Sequence, residues 1–162
     1  MVSINQLKSK INTFLKLSLL EKVWLFFLYP LSGLARALIL TLKYKRLSTY
    51  FGFYLKNTQL SIPTTEAQKI RALRIGKTVE LCSRYTFWES KCLVQAVMAI
   101  TLLKYYRIPY VMHLGATLTN DKDEPMKAHA WVLVGDRVIT GRAGHKAFSI
   151  TATYTSECIH DD

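Results

Sequence analysis

The run Val23–Leu42, VWLFFLYPLSGLARALILTL, constrains this chain more than any other feature, because so much apolar surface must find cover. It is long enough to cross a bilayer, and Arg36 is its only charge. Pro30 and Gly33 punctuate it, so two amphipathic helices, packed on a core or lying on a surface, fit it as well as a span does. Lys8, Lys10, Lys16, Glu21, Lys22 and Lys43 interrupt the wider apolar region from Leu7 to Tyr44. The basic start is long and no small-x-small cleavage site follows, which argues against a secretory signal. The expectation is an apolar helical extension over residues 1–60, buried against protein or the membrane face, ahead of a second unit over 61–162.

A chain of 162 residues, half of them hydrophobic, can build one compact domain or a small core with such an extension. Its formal charge of +11 would favour nucleic acid, anionic lipid or an acidic peptide, and identifies none of them. The basic residues are scattered through the first half and not set between aromatics on a strand, so nucleic acid is not the expected partner. Cys82, Cys92 and Cys158 make an odd count whose spacing matches no zinc knuckle. That pattern fits a cytoplasmic chain, at most peripherally at the inner face of the membrane, without disulfides, metal or cofactor. No phosphate-binding glycine loop with its lysine is present.

Ser61-Ile62-Pro63-Thr64-Thr65 reads as a boundary, and Thr65 followed by Gln68 resembles a capping box for a helix from Glu66. Ala67, Ile70, Leu73 and Gly76 are the expected inward face of that helix, and Phe51–Leu60 reads as a short turn or helix. A further helix is expected from an N-cap at Ser90 to Tyr106, with Leu93, Val97, Ile100 and Leu103 at helical spacing and Ile108-Pro109 as the stop. Cys92 would then lie in the first turn, where backbone N–H groups and the helix dipole favour a sulfur anion. Strands follow at Tyr110–Thr117, Ala128–Val134, Arg137–Thr140 and Ala147–Tyr154, with NDKDEP and Gly135-Asp136 as turns. Helix followed by antiparallel sheet gives an α+β fold.

His129, near the start of AHAWVLV, is placed to exchange a proton with Cys92, and a half-buried sheet-edge histidine is the bland alternative. Trp131 shares its strand face and could wall a site or fill core space. Trp88 lies on the loop that would shape the pocket. His113 reads as a cleft residue or as sheet packing.

The blocks FWESKCLVQAVMAITLLKYYRIPYVMHLGAT, MKAHAWVLVGDRVITGRAG and AFSITATY, with YKRLSTYFG before them, resemble the lasso-peptide maturation proteases. Those proteases carry a transglutaminase-like, papain-related domain. The resemblance covers nearly the whole chain and makes Cys92 the implied nucleophile and His129 the general base and acid. It implies hydrolysis of one peptide bond, freeing a ribosomal precursor from its leader. In the split form of the family, which this short chain resembles, a separate small protein binds the leader and an asparagine-synthetase-like cyclase closes the ring.

The family's usual acid stands about twelve positions beyond the histidine, and here that neighbourhood is Thr140-Gly141-Arg142, without a carboxylate. A plain two-residue turn at Gly135-Asp136 would set Arg142 opposite His129 and Thr140 diagonal to it. Thr140 or a backbone carbonyl is therefore the preferred orienter of the imidazole, and Asp136, a turn residue, the lesser one. The same thiol could instead pass the acyl group to an amine, as in transglutaminases. The missing acid also leaves open a catalytically weak, membrane-associated scaffold that presents the precursor.

Overall fold

The computed structural model describes residues 14–56, 58–119 and 125–157. Lys8, Lys10, most of the NDKDEP turn, Cys158 and His160 lie outside the described residues.

Helix α1, Leu19–Thr41, is a single helix through Pro30, where two were considered. Ser18 caps it in a reciprocal box with Glu21, the Glu21 N–H reaching Ser18 Oγ at 3.3 Å and the Ser18 N–H reaching Glu21 Oε2 at 2.8 Å. Pro30 sits on the exposed side, so the helical carbonyl it leaves unpaired is not trapped in the core. Trp24, Leu28, Ser32 and Ala35 form the buried stripe. α2, Tyr44–Phe51, leads through Gly52 into β1, Phe53–Leu55, a strand where a turn or helix was expected.

Helix α3, Glu66–Ser83, carries the expected Thr65–Gln68 box. Its inward face is rotated from the expected one: Ala72, Ile75, Gly76, Val79 and Cys82 are buried, whereas Ala67 and Ile70 are exposed. Gly76 explains the choice, since a Cβ there would lie 2.2 Å from the Ile139 carbonyl; only glycine lets the helix approach that strand so closely. α4, Cys92–Tyr105, is buried on almost every side, from Val94 and Ala96 to Leu103. It stops in a Schellman turn, with Ile108 N–H on the Leu103 carbonyl, Arg107 N–H on that of Lys104, and Arg107 at φ 52°.

The strands β2 (Val111–Leu118), β3 (Met126–Val134), β4 (Arg137–Thr140) and β5 (Ser149–Thr155) join β1 in one antiparallel sheet of order β1-β5-β2-β3-β4. A short 3₁₀ turn, His145–Ala147, precedes β5. Ala130, Val132 and Val134 alternate inward from β3 onto the helices. One hydrophobic cluster runs from Trp24 of α1 to Tyr154 of β5, so segments on both sides of residue 60 share it.

The β3–β4 register is not the plain one. It shifts between Val132 and Leu133, so Thr140 pairs with Val132 and not with Trp131.

Candidate active site

A cleft of about 590 Å³ opens where α3, the start of α4 and the β3–β4 edge meet. Cys92, Gln95, His129, Thr140, Gly141 and Arg142 line it, opposite Leu73, Lys77 and Glu80 of α3.

Cys92 is the first residue of α4, and the N-cap is Lys91 where Ser90 was expected. Ser90 is engaged elsewhere: its hydroxyl meets that of Thr86 at 2.9 Å, and its carbonyl accepts from Gln95 Nε2 at 3.0 Å. No side chain caps the helix, and its first backbone bond is Gln95 N–H to the Lys91 carbonyl at 3.1 Å. The N–H groups of Cys92, Leu93 and Val94 thus have no acceptor within the helix, and they point out of its positive end beside the sulfur.

The loop ahead of Cys92 is clamped from α1. Trp88 donates from Nε1 to Ser32 Oγ at 3.1 Å, packs on Tyr29 at 5.3 Å, and lies against Gly33. Arg36 donates to the Glu89 carbonyl at 2.7 Å. Trp88 is therefore a strut of this loop and does not line the cleft.

His129 is half-buried, its ring stacked on Trp131 at 5.9 Å and tilted over Phe148 at 5.0 Å. Its Nε2 lies 2.8 Å from the Gly141 carbonyl oxygen. A carbonyl only accepts, so Nε2 carries the proton and the neutral ring presents Nδ1 as its basic nitrogen. The thiol and the imidazole share the cleft without a hydrogen bond between them, an arrangement that catalytic pairs often tighten only on substrate.

Gly141 stands where a carboxylate would be expected from the resemblance, and it can supply only its backbone. Its φ is +69°, and a Cβ would lie 2.2 Å from the Ala130 carbonyl. Of the two expected orienters, Thr140 and a backbone carbonyl, the hydrogen bond found is to a carbonyl, that of Gly141; the register shift pairs Thr140 with Val132, and its buried Oγ1 has no hydrogen-bond partner among the described residues. Asp136 stays exposed at the turn, 3.0 Å from Lys69 and 3.5 Å from Arg137. Those partners hold its carboxyl below the usual range, the Lys69 hydrogen bond foremost.

His113 and Trp131 lie outside the cleft, their rings 5.5 Å apart. His113 is 2% exposed and bonds Thr153 Oγ1 through Nδ1 at 2.9 Å. Thr153 spends its own proton on the Thr58 carbonyl at 2.8 Å, so His113 Nδ1 is the donor. Burial pushes the His113 imidazole down to about 4. Gln95 and Phe148 were not singled out from the sequence. Gln95 left one signal, an amide on an otherwise apolar helix, and Phe148 none beyond its place in AFSITATY. Among the described residues no group of three or more His, Cys, Asp or Glu side chains is arranged to hold a metal ion.

Compared with known families, residues 38–153 match the family described as the transglutaminase-like superfamily. Neither the curated proteins nor the solved structures give a match.

Proposed function

The chain belongs to the transglutaminase-like superfamily, and on that basis we propose that it is a cysteine peptidase removing the leader from a lasso-peptide precursor. The superfamily's chemistry is acyl transfer through a thiol. The observation that carries the assignment to this cleft is the His129 Nε2–Gly141 hydrogen bond, which leaves Nδ1 as the base in the cleft that Cys92 opens into.

In this reading Nδ1 takes the thiol proton as Sγ attacks the scissile carbonyl. The N–H groups at the start of α4 meet the developing oxyanion. His129 then gives its proton to the leaving amine, the C–N bond breaks, and a thioester remains. Water, deprotonated by the same nitrogen, releases the acid and restores the thiol. The lasso-peptide substrate rests on the ordered sequence blocks, as do the two partners, a separate leader-binding protein and an asparagine-synthetase-like cyclase.

The test is precursor cleavage, followed by mass spectrometry, with the leader-binding partner present. Cys92→Ala and His129→Ala should each lower turnover by about a thousandfold or more. Cleavage that survives both changes would sink the assignment. An added primary amine separates the two acceptors, since a product bearing the amine in place of water would point to acyl transfer.

A further inference from the structure

We propose that the outer face of α1, with the groove between α1 and α2, docks on the surface of an anionic lipid bilayer; the inference is independent of the peptidase reading. α1 is long and apolar enough to cross a membrane, but one side of it is already committed to protein. Trp24, Leu28, Ser32 and Ala35 are buried against the domain, and Glu21 is held by Arg74 at 3.1 Å. Pulling this helix across a bilayer would strip the core.

The opposite side is apolar too and has no cover among the described residues. Leu19, Val23, Phe26, Phe27 and Leu34 follow helical spacing along it, with Phe26 86% and Leu19 79% exposed. A soluble surface helix would carry its charges there, and this one carries none in that stripe. Leu34 and Leu38 continue it into an apolar groove of about 500 Å³, floored by Val97 and Leu47 and rimmed by Arg46. Such a groove can take an acyl chain with its anionic headgroup at the rim.

Charge selects lipid as the occupant. Residues 1–56 contain nine lysines and arginines against the single acid Glu21. Lys16, Lys43, Lys45 and Arg46 are exposed at the two ends of α1. An apolar helix face bordered by cations is the arrangement that settles into the headgroup region of an anionic leaflet. At 23 residues α1 would lie about 34 Å along that surface.

The experiment is flotation of the full chain with vesicles of phosphatidylcholine and phosphatidylglycerol, and with vesicles of phosphatidylcholine alone. Binding should favour the anionic vesicles by about tenfold or more and weaken with salt. The double variant Phe26→Ser, Leu34→Ser should lose about tenfold or more of that binding. Both side chains are exposed, so its melting temperature should match the parent chain. Lys43→Gln with Lys45→Gln should reduce the anionic preference and leave binding to neutral vesicles unchanged. Absence of vesicle binding would overturn the proposal, as would binding indifferent to Phe26 and Leu34. Retention in the bilayer after alkaline extraction would replace it with a span. Self-association lost in the Phe26, Leu34 variant, with no vesicle binding, would assign the face to a second copy of the chain.

Discussion

His113 makes the stability of this fold depend on pH in a window that can be stated beforehand. Its imidazole is buried, donates from Nδ1 to Thr153, and titrates near 4 in the folded chain against 6.5 for an ordinary histidine. Above pH 6.5 neither the folded nor the unfolded chain protonates this ring, and the neutral ring's contribution is complete. As pH falls from 6.5 to 4, the unfolded chain binds a proton that the folded chain refuses, so stability drops. Below 4 both states carry it and the loss stops. A depression of 6.5 to about 4 corresponds to a loss on the order of 3 kcal/mol. The matched perturbation is His113→Asn, whose amide nitrogen can still donate to Thr153 while nothing there titrates. It should lose packing against Trp131, a deficit on the order of 1–3 kcal/mol that is the same at every pH. Urea unfolding of both proteins from pH 7 to pH 4.5 should therefore show two curves that converge on acidification. Parallel curves would refute the reasoning, because other groups titrate equally in both chains.

Gly141→Ala forces a side chain into φ +69° and toward the Ala130 carbonyl, and should cost at least about 2 kcal/mol in chemical denaturation. With the carbonyl displaced, His129 loses its partner. Turnover should fall about 10- to 100-fold, and ¹⁵N NMR of the ring should report a mixed tautomer in place of the Nε2–H form. Gly76→Ala, which at an ordinary helix position gains about 1 kcal/mol, should instead destabilise by about 1–3 kcal/mol, because its Cβ meets the Ile139 carbonyl; a raised melting temperature would contradict the close approach of α3 to β4. Thr65→Ala removes half of the α3 capping box and should lower stability by about 1 kcal/mol, read as a melting shift of about 2–4 °C.

What could be read from the sequence was whatever is encoded locally. The Thr65–Gln68 box, the apolar run of α4, the Ile108-Pro109 stop and the turn at Gly135-Asp136 each act within a few residues, and they placed the start of α3, α4 and the strands β2 to β5 within one or two residues of where they lie. Cys92 in the first turn of a helix follows from the same local logic. β1 did not show, because Phe53–Leu55 is a three-residue edge strand, largely exposed, whose only reason to be extended is β5 nearly a hundred residues later. The inward face of α3 was only partly legible: Gly76 was expected inward and is, but its close contact with β4 turns the helix so that Ala72, Ile75 and Val79 are buried and Ala67 and Ile70 are not. Which of the two expected orienters meets His129 depended on a register shift between Val132 and Leu133 that no residue nearby announces. A backbone carbonyl leaves no letter in a sequence, so it could be expected in kind but not assigned to Gly141.

The clamp on the Cys92 loop has a consequence for timing. Its contacts to α1 span 53 residues for Arg36 with Glu89 and 56 for Ser32 with Trp88. Closing loops of that length carries an entropic cost that local helix formation does not, so they close only once the core has gathered. A chain that is still folding, or one lacking α1, carries the sulfur without the scaffold that aims it. Maturation of the thiol's surroundings is thereby tied to completion of the whole molecule, and the first helix acts as its last latch.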